Sequence, residues 1–108
     1  MKVIFSSSLE LGDGMKAKKL DKLKKKIEEK PMFAREYLVY LSENKTGELE
    51  VMKANQLVFS YYDSHPISVV GLFKEYDQAI DWITQITKEC IKERGDCKLK
   101  EFVKCRYF

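Results

Sequence analysis

Lysine is the residue type whose spacing in this sequence most clearly suggests chemistry. Eight lysines fall between residues 16 and 30. At helical spacing, five of them occupy about 120° of arc opposite an apolar stripe formed by Leu20, Leu23 and Ile27. These five are Lys18, Lys19, Lys22, Lys25 and Lys26. Such a face attracts phosphate backbones or an acidic protein through salt-sensitive electrostatics; the alternative is that it only keeps a surface helix soluble.

The end of the chain combines basic and aromatic side chains. Apolar and basic residues alternate over 97–108, which predicts a strand. Its outward side would carry Lys98, Lys100, Phe102, Lys104, Arg106 and Phe108. Proteins that bind single-stranded nucleic acids stack bases on such rings while cations follow the backbone. Alternatively, the rings pack under a helix or a second subunit and the lysines protect an edge strand.

Aromatic side chains are numerous for a chain of this length. Six Phe, six Tyr and one Trp are more than one small core readily hides. The candidates for an aromatic contact surface are Phe59, Tyr61, Tyr62, Phe102 and Phe108. This surface predicts binding to a protein partner or to a second copy of the chain.

Catalytic and metal-binding patterns are weak. His65 is the only histidine and has no catalytic motif around it, and the three cysteines, Cys90, Cys97 and Cys105, lack C-x2-C spacing. The turn Gly12–Lys16 precedes a helix but does not match the phosphate-binding pattern G-x4-G-K-[ST]. We therefore assign no catalytic residue, metal or cofactor, and an enzyme is the least favoured class.

Composition indicates one globular domain spanning residues 1–108. The chain has 108 residues, 44% of them hydrophobic, and a net charge of +3. No apolar window approaches the roughly 20 residues of a membrane span, so no membrane association is expected. An odd number of cysteines argues against a disulfide framework and favours reduced thiols in the cytoplasm.

Periodicity predicts the elements that would position these residues. The expected order is a strand over 2–6, a loop to residue 14, a basic helix over 15–30, and a hairpin of strands over 34–42 and 48–53. A buried strand over 67–73, a helix over 75–94 and the strand over 97–108 follow. Residues 54–62 fit both a short helix and a strand, and a helix is favoured because few turn residues interrupt them.

The resulting fold prediction is α+β, with a mixed four- to five-stranded sheet, a long helix near the C-terminus packed on it and a basic N-terminal helix. The leading functional hypothesis is a cytoplasmic, non-catalytic interaction module for a protein partner or a homodimer. The alternative is nonspecific nucleic-acid binding through the basic helix and the terminal strand. The nucleic-acid hypothesis gains most if these two elements share one surface.

Overall fold

A computed structural model describes residues 3–12, 14–41, 49–59, 61–95 and 99–107, with the side chains of Tyr61, Asp63, Arg94 and Lys100 left out. Its strands are β1 (Val3–Leu11), β2 (Tyr37–Leu41), β3 (Leu49–Lys53) and β4 (Ile67–Phe73), and its α-helices are α1 (Leu20–Glu29), α2 (Tyr61–Ser64), α3 (Tyr76–Arg94) and α4 (Leu99–Tyr107). Short 3-10 helices span Ala17–Lys19, Pro31–Phe33 and Ala54–Val58. The α+β prediction is confirmed.

The sheet is mixed, with the strand order β1-β4-β2-β3. β4 pairs in parallel with β1 and antiparallel with β2, and β2 and β3 form the predicted hairpin. The hairpin turn itself lies outside the described residues. Residues 54–62 follow the favoured helical alternative, because the 3-10 helix Ala54–Val58 and the start of α2 cover most of them.

Helices cover both faces of the sheet, and each face has its own core. Along β2, Leu38 packs into a core that includes Ile27 of α1, whereas Val39 packs into a core that includes Phe102 of α4. Successive strand residues point to opposite faces, so this split assigns the helices to separate layers. We call the first the α1 layer, formed by α1 and the 3-10 helices Pro31–Phe33 and Ala54–Val58. The second is the α3 layer, formed by α3 and α4.

A bulge in β4 allows this strand to serve both cores. Val39 pairs with Gly71 and the next residue of β2 pairs with Val69, so β4 carries one extra residue, Val70. Val70 packs in the α3 layer core, and after the bulge Leu72 returns to the α1 layer core. A Cβ at Gly71 would lie 2.8 Å from a ring carbon of Phe73. Glycine is therefore required where the strand changes its alternation.

β1 is longer than predicted, and the loop expected from residue 6 onwards is wrong up to Leu11. The pairing with β4 shifts between Phe5 and Glu10, so a bulge absorbs the serine run and the strand then continues. Ser6 is buried, its hydroxyl donates to the carbonyl of Tyr107, and its Oγ accepts from the Ser8 N–H at 3.0 Å. These bonds satisfy the Ser6 hydroxyl and the Ser8 N–H, in the serine run that had suggested a loop.

The strand predicted over 97–108 is also wrong where the structure describes it, because residues 99–107 form α4. Leu99, Phe102 and Val103 lie at helical spacing and are all buried against α3 and the sheet. Phe102, predicted to face outwards, is in the core, and Cys105, predicted to face inwards, is exposed. The described sheet has four strands, which is within the predicted four to five.

The two patterns for the chain end predict opposite effects of mutation. In α4, Phe102→Ala removes a buried ring and should lower the free energy of unfolding by about 3 kcal/mol or more. Cys105→Ala is the matched control and should change it by less than about 0.5 kcal/mol. Urea unfolding followed by circular dichroism measures both values. A large loss for Cys105→Ala with a small one for Phe102→Ala would contradict the helix.

Candidate functional site

A groove opens at one edge of the sheet, where two parallel strands end. β1 ends at Leu11 and β4 at Phe73, and the Gly12 N–H donates to the carbonyl of Leu72 at 2.9 Å, which holds the two chain exits together. In open α/β sheets, ligands bind beyond the carboxyl ends of parallel strands, and the parallel pair β1–β4 provides one such end here. The carboxyl ends of β1 and β4 are thus a favourable place for a ligand site.

Lysines dominate the charged lining of this groove, whose volume is about 470 Å³. They come from separate parts of the chain: the connection after β1, the helical segment 17–29 and the residue directly after β4. The five are Lys16, Lys19, Lys22, Lys26 and Lys74. Glu36, just before β2, is the only carboxylate among the described lining residues. The groove is therefore strongly cationic.

The remaining lining is mostly apolar. Its members are Leu11, Gly14, Met15, Leu20 and Leu23. The four larger side chains are partly buried and also pack against the α1 layer core, so the groove wall continues the hydrophobic core. We call the eleven lining residues together the lysine groove. No aromatic ring is among them in the part of the chain that the structure describes.

Local geometry explains how the lysines converge. Lys19, Lys22 and Lys26 follow the i, i+3, i+7 spacing of one helix edge. Gly14 has a φ of +84°, and a Cβ placed there would lie 3.4 Å from the Nζ of Lys74. The left-handed turn at Gly14 thus lies directly against the Lys74 side chain.

The predicted basic face is divided by the structure. Lys19, Lys22 and Lys26 line the groove, whereas Lys18 and Lys25 are exposed outside it. Lys24 lies over the ring of Phe5, with its Nζ 5.4 Å from the ring centroid. Sequence reasoning did not include Lys16 and Lys74 in the site. Lys16 stood in the lysine cluster, but the isolated Lys74 gave no local signal.

None of the five groove lysines has a carboxylate within ion-pair distance among the described residues. Clustered unpaired charges of one sign raise the local potential and concentrate counter-ions. The groove can therefore attract anions.

The described basic side chains of the chain end, Lys104 and Arg106, do not extend this surface. α4 belongs to the α3 layer, on the opposite face of the sheet from α1. Arg106 forms an ion pair with Glu89 at 2.8 Å and lies over the ring of Phe102, 5.3 Å from its centroid. Lys104 is exposed, and the side chains of Lys98 and Lys100 lie outside the description. The continuous cationic surface considered from sequence is not formed by the described residues.

The predicted aromatic surface is also dispersed. Phe59 is exposed, Phe102 is buried and Tyr62 packs against the α1 layer core; Phe108 and the side chain of Tyr61 lie outside the description. A different apolar surface is present where the 3-10 helices Pro31–Phe33 and Ala54–Val58 pack side by side. We call it the 3-10 patch, and its residues are Met32, Phe33, Val58 and Phe59, exposed by 58%, 64%, 47% and 62%.

The described groups considered for catalysis lie in separate elements of the fold. His65 lies at the start of β4, at the opposite end of that strand from the groove, with its Nδ1 3.1 Å from Ser64 Oγ. Cys90 is buried and Cys105 exposed; Cys97 lies outside the description. The described residues contain no cluster suited to a metal ion, and none of their helices combines the length and apolarity needed to cross a membrane.

One ionisable group has a perturbed environment. Burial against the sheet raises the pKa of the Tyr107 phenol, and the nearby carboxylates of Glu10 and Glu89 raise it further, while the positive charge of Arg106 acts in the opposite direction. Tyr107 also stacks edge-on against Trp82, with ring centroids 5.8 Å apart. The neutral phenol helps to fix α4 on the sheet.

Alkaline titration should report this environment. We expect the absorbance difference between the wild type and Tyr107→Phe to show an ionisation above the ordinary tyrosine pKa of about 10, and Glu10→Gln to lower that pKa. The raised pKa in the folded state gives a stabilisation that is complete below about pH 10 and lost as the pH rises through the folded-state value. A midpoint at or below the ordinary value would contradict this.

Comparisons with protein-family models, curated proteins and solved structures give no match. No function therefore comes to this chain from a relative. Its function has to be argued from the lysine groove and the 3-10 patch.

Proposed function

We propose that the protein is a cytoplasmic, non-catalytic interaction module that buries the 3-10 patch against another protein. The observation that carries the proposal is the exposure of four large apolar side chains on, or directly after, two 3-10 helices that pack against each other. Clustered exposed apolar surface is uncommon on monomers and marks interaction sites. Phenylalanine and methionine are enriched in protein interfaces, which supports the same conclusion.

The first occupant to consider is a second copy of the chain. An apolar patch that is complementary to its own copy is the simplest route to a symmetric dimer. The cytoplasmic location is supported by the free thiols of Cys90 and Cys105, because reduced cysteines persist in that compartment.

Sedimentation equilibrium over a micromolar concentration series tests the patch. We expect the wild type to dimerise and Phe33→Ser/Phe59→Ser to be monomeric, because the double variant replaces both exposed rings by small polar groups. Ile91→Ser is the matched control, since Ile91 is 46% exposed on α3, in the other layer. This control should dimerise like the wild type, and all three proteins should have the same thermal midpoint within a few degrees.

A monomeric wild type would exclude the second copy but leave a different protein as occupant. A photo-crosslinking amino acid at position 33, compared with one at position 91, then tests whether a different protein covers the 3-10 patch. Defined crosslinked species from position 33 alone, abolished by Phe59→Ser, support the module. Equal labelling from both positions together with a monomeric wild type would refute it.

Nonspecific nucleic-acid binding is the second candidate, favoured by the density of lysines along residues 16–26. A backbone that follows this surface should contact the outer lysines as well as those in the groove, since phosphate contacts depend on charge rather than on pocket shape. The absence of aromatic rings from the described groove lining and the position of α4 on the other face restrict this candidate to α1 and its flanking residues.

The salt dependence of binding tests this candidate. Lys18→Gln/Lys25→Gln should weaken binding to DNA or RNA and reduce the slope of log affinity against log salt by about 1.4 to 1.8, because two phosphate contacts are lost. Lys88→Gln/Lys92→Gln, the same charge change on α3, should leave the slope unchanged. Fluorescence anisotropy measures both, and undetectable binding of the wild type at about 50 mM salt would eliminate the candidate.

A further inference from the structure

We propose that the lysine groove is a binding site for an amphiphilic organic anion, a compound that joins a short apolar chain to phosphate or carboxylate groups. The site is separate from the 3-10 patch and does not depend on it. The proposal follows from two parts of one groove. We call its five lysines the rim, and we call its four larger apolar side chains, Leu11, Met15, Leu20 and Leu23, the floor.

The size of the groove favours a small molecule. Its volume of about 470 Å³ lies within the roughly 300–1,000 Å³ range of ligand pockets. An α-helical peptide about 10 Å across would fill this volume with roughly one turn, too little for a stable peptide complex. A small ligand can instead place most of its surface inside the groove.

The floor requires an apolar part in the ligand. Leu11, Met15, Leu20 and Leu23 form a surface with no side-chain hydrogen-bond donor. A fully hydrated anion such as inorganic phosphate gains nothing from contact with this surface. An alkyl or acyl chain buried on it gains about 0.8 kcal/mol per methylene, so the chain would supply most of the affinity.

The rim requires an anionic head. Lysines from two distant parts of the chain meet there, with Lys74 from the end of β4 lying against Gly14 next to the helical lysines. A helix that only needs solubility places its lysines on its outer side and does not recruit one from another strand. Lysine is a strongly hydrated point charge without the planar fork of arginine, so the rim selects negative charge rather than one head-group shape.

Glu36 determines how the ligand is oriented in the groove. It is the single carboxylate among the described lining residues, and it repels an anionic head from its own side of the groove. The head is therefore held by the lysines, and removing the carboxylate should improve binding.

Isothermal titration calorimetry with octyl phosphate, kept below its micellar concentration, tests the proposal on the whole chain. We expect inorganic phosphate to bind at least about tenfold more weakly, because it lacks the chain. Octyl glucoside, which has the chain without the charge, should also bind at least about fivefold more weakly. Equal affinity for octyl phosphate and inorganic phosphate, or for octyl phosphate and octyl glucoside, would overturn the proposal.

Matched variants locate the site. Lys22→Gln/Lys26→Gln removes two groove lysines and should weaken octyl phosphate binding at least about fivefold. Lys18→Gln/Lys25→Gln removes the same charge from the same helical segment outside the groove and should change affinity less than about twofold. Equal losses in the two variants would show that net charge rather than the groove binds the ligand, and would overturn the proposal.

Two further variants separate the floor from the rim. Glu36→Gln should raise the affinity about twofold or more, and Met15→Gln should lower it while leaving the weak binding of inorganic phosphate unchanged. Met15 is only partly buried, and unfolding midpoints confirm that both variants are folded. An affinity for octyl phosphate that neither variant alters would count against the site.

Two further experiments identify the source of the ligand and test nucleic acid as a competing ligand. Co-sedimentation with anionic phospholipid vesicles, lost in Lys22→Gln/Lys26→Gln, identifies a membrane lipid as the source, whereas octyl phosphate binding without co-sedimentation identifies a soluble compound. A single-stranded oligonucleotide that displaces octyl phosphate at lower concentration and depends equally on Lys18 and Lys22 would replace the amphiphile by nucleic acid. This result would refute the present proposal while leaving the 3-10 patch untouched.

Discussion

The burial of β4 on both faces is the constraint on which the rest of the structure depends. This strand pairs with β1 on one side and β2 on the other, and six of its seven residues are buried. A strand with strict alternation would send Val70 and Leu72 to the same face, but the bulge before Gly71 sends them to opposite cores. The extra residue Val70 and the glycine at position 71 thus allow two helical layers to share a single central strand. The parallel pairing with β1 also brings the ends of both strands to the edge where the lysine groove opens.

Most of the fold could be predicted because its main elements carry long, regular patterns. The apolar face of α3 ends at Gly95, which adopts a φ of +73° as a helix end requires, and β2 and β4 are apolar on both faces. The errors occurred where two patterns fit equally well or where a distant contact decides. Leu99, Phe102 and Val103 match a helix as well as their neighbours match a strand. The strand position of Ser6 depends on a carbonyl 101 residues away in the sequence, which no local pattern contains.

The candidate sites were only partly predictable for the same reason. Three groove lysines share a helix edge and could be found by their spacing, whereas Lys74 joins them through the parallel pairing of β1 and β4. In the 3-10 patch, Phe59 was recognised by its residue type. Met32 and Phe33 follow the proline that ends the helical pattern, and they become a surface only because a second 3-10 helix packs beside them. Tertiary contacts, not residue types, decide which members of a charged or aromatic set act together.

The two layers differ in the contacts that their described charged and aromatic side chains make. In the α3 layer, charged and aromatic groups are used within the protein: Arg106 pairs with Glu89 and covers Phe102, and Trp82 packs against both Phe73 and Tyr107. In the α1 layer, the five groove lysines form no ion pair with a described residue, and the four side chains of the 3-10 patch are exposed. Such features cost stability through repulsion and hydration, and a domain with only about 5–15 kcal/mol of stability can carry them only if the cost is small or is offset by binding. Long, solvated lysine side chains keep the cost small in water, and an anion in the groove would turn their repulsion into attraction.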